Sequence, residues 1–205
     1  MTTLFAALLY IAAAVLAGGL AHRIIDYART PAPLKIPTTP APVSRAGVAL
    51  RLLREVVLFE SLFRSNLWIW VFGWLFHVGL ALVLLRHLRY FVDPVWPWLA
   101  FVQPFGVYGG FAMVIGLSGL WARRFLVDRV RYISTPSDHL MIVLLLAIAA
   151  TGLAMKYLAH TDVVALKMFT LGIVYLDWQP LPADPLLWTH LTLVAALMIV
   201  FPFSK

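Results

Sequence analysis

Five stretches of this chain contain no Asp, Glu, Lys or Arg: Thr3–Ala21, Leu67–Leu85, Phe101–Ala122, His139–Met155 and Leu186–Phe203. Each is close to the roughly 20 residues that a helix needs to cross a hydrocarbon core of about 30 Å. Lipid offers no partner to a free backbone amide or carbonyl, so only helices and closed barrels span a bilayer. The ten-residue alternation of barrel strands is absent. An all-α membrane protein follows, a single domain over residues 1–205 built as a bundle of five transmembrane helices. Composition agrees, with 12% charged residues against roughly 25% in a soluble domain. The first stretch lacks the basic start of a signal peptide, is too long for its apolar region and runs into His22-Arg23, so it is expected as a retained helix. Cysteine is absent, which excludes disulfides and iron–sulfur ligation by this chain. The net charge of +7 reads as membrane orientation rather than nucleic-acid binding.

The distribution of basic residues gives that orientation. Arg23, Arg29, Lys35, Arg45, Arg51, Arg54 and Arg64 lie between the first and second runs, Arg123, Arg124, Arg129 and Arg131 between the third and fourth, and Lys205 follows the fifth. The opposite side has Arg86, Arg89, Lys156 and Lys167. Twelve against four predicts an outside N-terminus and a cytoplasmic C-terminus, because basic loops stay on the cytoplasmic side.

Two connections carry more than a turn. Residues 24–66 hold Pro31, Pro33, Pro37, Pro40 and Pro42, which favour an extended path. Ser44 is then placed to cap a helix reaching about Ser65, with Val48, Leu52, Val56, Phe59 and Phe63 at three- and four-residue spacing. This reads as an amphipathic helix in the cytoplasmic interface, either a surface anchor or a docking platform for a cytoplasmic subunit. Residues 162–186, broken by Pro180, Pro182 and Pro185, are expected to cover the outer mouth of the bundle.

Ionisable residues inside a span are costly and are functional candidates by default, and histidine is a common ligand of metals and haem iron. His77 lies ten residues into the second run, between Gly73 and Gly79. Those glycines suit either close helix packing or a flat macrocycle. His87 follows about 15 Å further out, and a net rotation of about 80° lets both imidazoles address one side of the helix. His190 lies in the first turns of the fifth helix, at the depth of His87, so a bis-histidine haem b between them is sterically reasonable. Histidines that hydrogen-bond between helices fit the same spacing. His22, His139 and His160 sit near helix ends and read as interfacial, with His139 the nearest in-chain substitute partner for His77.

The histidine pair His77 and His87, the run Trp188-Thr189-His190 leading to Phe201-Pro202-Phe203-Ser204-Lys205, and Asp128-Arg129-Val130-Arg131 before Asp138 resemble the gamma subunit of respiratory nitrate reductase. Within that superfamily the proline-rich segment 31–42, Trp121–Asp128 and Asp177–Asp184 are similar to the cytochrome b subunit (DsrM) of the Dsr sulfur-metabolism membrane complex. The resemblance implies a membrane cytochrome b with two haems b that exchanges electrons with quinone in a bacterial inner (cytoplasmic) membrane. It implies that His87 and His190 ligate the outer haem. It implies that His77 ligates the inner haem with a partner beyond residue 205. The implied partners are a cytoplasmic heterodisulfide-reductase-like iron–sulfur subunit and further membrane, periplasmic cytochrome c and iron–sulfur subunits.

A quinone pocket needs hydrogen-bond donors or proton acceptors at the ring oxygens. Arg86, Arg89, Tyr90, Gln103, Lys156 and His160 are the candidates at the outer level, together with Tyr108, Tyr157 and Asp162. Headgroup contacts and haem-propionate partners are their other reading. Two other functions fit the residues alone: a cofactor-free membrane anchor, and a small transporter or proton channel using the histidines as a relay. Against the latter, no internal repeat is evident.

Overall fold

The computed structural model describes residues 1–31, 42 and 44–204; the prolines at 33, 37 and 40, with Lys35 and Lys205, lie outside them. Among the described residues nine α-helices follow in order: α1 (Thr2–Arg29), α2 (Arg45–Leu58), α3 (Glu60–Ser65), α4 (Leu67–His87), α5 (Pro97–Leu126), α6 (Asp128–Ile133), α7 (Pro136–Ala154), α8 (Val163–Tyr175) and α9 (Pro185–Val200). Short tighter or wider turns extend three of them, at Leu88–Tyr90, Met155–Ala159 and Phe201–Phe203. Five of the described helical stretches are long and apolar enough to cross a membrane: Thr2–Arg29, Leu67–Tyr90, Pro97–Leu126, Pro136–Ala159 and Pro185–Phe203. These are the five expected spans, each longer than its uncharged run, so that Arg86, Arg89, Asp138 and Lys156 ride on helix ends.

Local chemistry sets those ends. The Asn66 side chain accepts from the Ile69 amide at 3.0 Å and starts α4. Thr135 and Asp138 form a reciprocal capping box ahead of α7, with Pro136 in its first turn. Asp184 accepts from the amides of Leu186 and Leu187 at 2.9 and 3.2 Å and starts α9.

The spans pack neighbour to neighbour in the order α4–α5–α7–α9–α1. The α4–α5 contact is a glycine seam. A Cβ on Gly79 would lie 2.6 Å from the Gly109 carbonyl oxygen, and one on Gly116 would lie 2.7 Å from both the Phe72 carbonyl oxygen and the Phe76 amide nitrogen. Only small residues permit that approach, which suits bilayers, where close packing replaces the hydrophobic effect between helices. Among the described residues, α4 and α9 share no such packed interface.

Helix directions follow from contacts at the two ends. The Thr2 hydroxyl accepts from the Leu181 amide at 3.0 Å, and Arg23 Nε donates to the Pro202 carbonyl at 3.2 Å. Hence α1 and α9 run parallel. The Thr170 hydroxyl donates to the Tyr90 carbonyl at 2.6 Å, which brings the last turn of α4 to the end where α9 begins. His87 and His190 therefore share one end of the bundle, as the antiparallel reading of the second and fifth spans requires.

The 162–186 connection covers that end. Phe169 is fully buried with Leu166, Leu181, Phe5 and Leu187, and Lys167 pairs with Asp93 at 2.5 Å. At the opposite end the structure corrects one expectation. The helix starting at Ser44 does not run unbroken to Ser65, because Phe59 adopts a left-handed conformation (φ 51°) and separates α2 from α3. The break is held from outside the helix. Trp70 and Trp74 indoles donate to the Leu58 and Val57 carbonyls at 2.7 and 3.1 Å. The Glu55 carboxylate accepts from the Ser61 amide and hydroxyl, which hold it below the usual carboxylate range. Val48, Leu52, Val56 and Phe63 all remain exposed.

Candidate functional site

The imidazoles of His87 and His190 have ring centres 6.5 Å apart and planes 14° from parallel. His190 is buried at 7% exposure, and His87 is half-buried. The rings are too far apart to hydrogen-bond to each other. The separation fits two imidazoles on opposite sides of one metal atom, where about 2 Å per metal–nitrogen bond and roughly 1 Å from each nitrogen to its ring centre give about 6 Å.

Hydrogen bonds fix which nitrogen is available. His87 Nδ1 donates to the Val83 carbonyl at 2.7 Å, one turn back on α4. A carbonyl only accepts, so Nδ1 carries the proton and Nε2 keeps its lone pair. His190 Nδ1 donates to the Thr151 hydroxyl oxygen on α7 at 2.8 Å. That hydroxyl spends its own proton on the Ala147 carbonyl at 2.8 Å, with the Ile148 carbonyl at 3.0 Å. Both rings thus expose Nε2 as the free base, the state that metal-bound histidine requires. Donor set, separation and near-parallel planes all fit a haem iron between α4 and α9.

His77 is prepared in the same way. Its Nδ1 donates to the Gly73 carbonyl at 2.7 Å, and its ring meets Phe59 and Phe76 edge-on at 5.1 and 4.7 Å. It is exposed, and no second histidine faces it among the described residues. His139 is an unsuitable substitute because its Nδ1 accepts from the Trp121 indole at 3.1 Å, which leaves the proton on Nε2. His22 sits beside Asp26 at 3.4 Å, and His160 is exposed after the wide turn of α7. No group of three His, Cys, Asp or Glu side chains converges among the described residues.

The quinone-pocket candidates divide. Arg86 donates to the Gln103 backbone carbonyl. Arg89 donates to the Gln103 side-chain oxygen at 3.3 Å and lies 5.6 Å over the Tyr90 ring. Tyr90 meets His87 edge-on at 5.9 Å. These four form one polar group beside the histidine pair. Lys156 instead lies 5.8 Å over Tyr157, and Lys156, His160, Tyr108 and Asp162 are all exposed. Asp184, which starts the helix carrying His190, is also held electrostatically. Partial burial pushes its carboxyl up, but the Thr161 hydroxyl and the Leu187 and Leu186 amides outweigh this and hold it below the usual range.

Thr151 and Gly152 are the site residues that sequence reasoning missed. A Cβ on Gly152 would come within 3.3 Å of His190 Cε1, so this position gives the ring its seat against α7. The one available signal was the pair itself, a hydroxyl followed by a glycine deep in the fourth uncharged run.

The sequence matches the family model described as nitrate reductase gamma subunit over residues 61–205. Two curated relatives carry the description Hdr-like menaquinol oxidoreductase cytochrome b-like subunit. The one from Archaeoglobus fulgidus is 34% identical over 96% of this chain and 73% of its own length. The one from Archaeoglobus profundus is 34% identical over 98% of this chain and 74% of its own length. With matches that run along nearly the whole sequence, the chain belongs to the nitrate reductase gamma subunit family.

Proposed function

We propose that this chain is the haem b membrane subunit of a quinone-linked oxidoreductase, exchanging electrons between membrane quinol and an iron–sulfur partner on the cytoplasmic side. The observation that carries the proposal is the near-parallel pair His87 and His190, 6.5 Å apart across two helices that do not pack together. The haem supplies reversible one-electron chemistry that no side chain of this protein offers. The residues supply its surroundings. His87 and His190 ligate the iron through Nε2, while Val83 and Thr151 hold the rings in the required tautomer. His77 is the protein's ligand to a second haem, about 15 Å away along α4, whose other ligand lies outside the described residues.

Quinol oxidation releases two protons with two electrons, so a headgroup site needs polar groups at both ring oxygens. Arg86, Arg89, Gln103 and Tyr90 form that site at the His87 end. Gln103, whose amide donates to the Arg86 and Leu99 carbonyls, holds the arginines in place. The arginines stabilise developing negative charge on a ring oxygen, and Tyr90 lies between Arg89 and His87. The basic connections at the opposite end face the cytoplasm, where α2 and α3 with the loop through α6 receive an iron–sulfur subunit related to heterodisulfide reductase. The name of the Archaeoglobus relatives supports both the quinol and this partner class, and the membrane is a prokaryotic cytoplasmic membrane. A histidine proton relay is disfavoured because His87 and His190 are too far apart to share a proton directly.

The test is haem content and reduced-minus-oxidised spectra of the purified protein beside His87→Ala and His190→Ala. Each variant should lose the same b-type haem while keeping its helical content. Loss of different haems, or full retention, refutes the pairing.

A further inference from the structure

The two histidines are held by unlike acceptors. His87 Nδ1 donates to a carbonyl of its own helix, so ring and acceptor move together. His190 Nδ1 reaches across to α7, 39 residues away in sequence, where it meets the Thr151 hydroxyl at 2.8 Å with the Ile148 carbonyl beside it. Its single proton goes to the nearer Ala147 carbonyl at 2.8 Å, so in the pair with His190 the imidazole N–H is the donor. The result is a directed chain, imidazole N–H to hydroxyl to backbone carbonyl, in which each bond polarises the next. Gly152 completes the seat, since any side chain there would press on the ring.

We infer that Thr151 is a positioning residue that sets the electron-donating strength of His190 and thereby the reduction potential of the haem it ligates; this rests on the reading of His87 and His190 as ligands of one iron. An Nδ1–H bond shifts electron density onto Nε2 and makes the imidazole a better donor. A better donor stabilises ferric over ferrous iron and lowers the potential. Removing the hydroxyl does the reverse and leaves the N–H with the Ile148 carbonyl as its acceptor. Thr151 reaches the iron only through His190.

The experiment is a potentiometric titration of the full chain in its own membranes, with low-spin ferric spectra by electron paramagnetic resonance. It compares the wild type with Thr151→Val, which keeps the shape without the hydroxyl, and Thr151→Ser, which keeps the hydroxyl. In Thr151→Val, the haem that His190→Ala removes should favour its reduced form up to about tenfold more at fixed ambient potential, an upward shift of up to about 59 mV. Its haem should also be lost about 10–100-fold more readily, and Thr151→Ser should titrate as wild type. If Thr151→Val holds no haem, Thr151→Cys, a weaker acceptor, should shift the potential in the same direction by less. A wild-type potential in the Val variant, or a Ser variant that behaves like Val, overturns the inference while the ligand pairing stands. Retention of haem in His190→Ala brings down the pairing and the inference together.

Discussion

Gly79→Ala tests how α4 is held in place below His87. The added Cβ would lie 2.6 Å from the Gly109 carbonyl oxygen, 2.8 Å from the Met113 amide nitrogen and 3.3 Å from the Ala112 carbonyl carbon. All three belong to the backbone of α5, so no change of rotamer relieves them. An ordinary contact needs about 3.5 Å, and α4 must therefore move off α5 by roughly 0.5–1 Å. Overpacking of this kind costs about 1–3 kcal/mol. Gly73→Ala is the control, because the nearest atom to its Cβ is Leu62 Cδ2 at 4.0 Å. Both variants gain the same helix preference of alanine over glycine, about 0.5–1 kcal/mol, so their difference isolates the clash. Thermal unfolding in detergent, followed by circular dichroism, should put the Gly79→Ala midpoint roughly 2–12 °C below that of Gly73→Ala. Equal midpoints would refute the seam as the determinant of α4's position.

Other substitutions probe the remaining parts. Trp74→Phe removes the indole donor to Val57, at about 0.5–1.5 kcal/mol, and should speed tryptic cleavage at Arg51 and Arg54 with no loss of haem. Gln103→Leu takes away the Arg89 partner and should raise the KM for quinol about tenfold, the equivalent of one hydrogen bond to a charged group, with unchanged haem content by spectroscopy. Asp184→Ala uncaps α9 and should lower stability by about 1 kcal/mol. Asp184→Asn keeps a capping oxygen and tests the charge. Because the folded carboxyl is held below its ordinary value, its contribution is present above the usual carboxylate range and disappears as pH falls through the folded value. The wild-type advantage over the Asn variant should therefore be constant near neutral pH and shrink on titration toward pH 3.

The spans were legible because the bilayer imposes a hard rule, and a run of this length without Asp, Glu, Lys or Arg is seldom anything but a membrane crossing. Their ends were less so. Nothing in an uncharged run shows that α1 continues through Arg23 to Arg29, since extending a helix into water is nearly balanced and charged residues fit a helix as well as a loop. The break at Phe59 was hidden for a different reason. Val48, Leu52, Val56, Phe59 and Phe63 keep helical spacing straight through it, and the groups that hold it open, Trp70, Trp74 and Ser61, come from beyond the break. Gly73 and Gly79 look equivalent in the sequence, and only the packing assigns Gly79 to the seam and Gly73 to the carbonyl that holds His77.

The histidines were legible by depth, whereas Thr151 was not, because a threonine inside a helix ordinarily bonds back to its own turn and shows no relation to a histidine 39 residues later. The arrangement explains why such a residue is needed. Packed helices normally approach to about 8–10 Å between axes, and α4 and α9 share no packed interface. Each is held by a different neighbour: α4 by the glycine seam with α5, and α9 by Thr151 and Gly152 on α7 and by its parallel course along α1. The space between the imidazoles is thus set by two independent contacts rather than by a direct one. A perturbation of either moves one ligand and leaves its partner in place, so Gly79→Ala and Thr151→Val approach the same pair from opposite sides. Their effects on the haem should add if the seams are separate and fail to add if α5 and α7, which also touch, shift as one body.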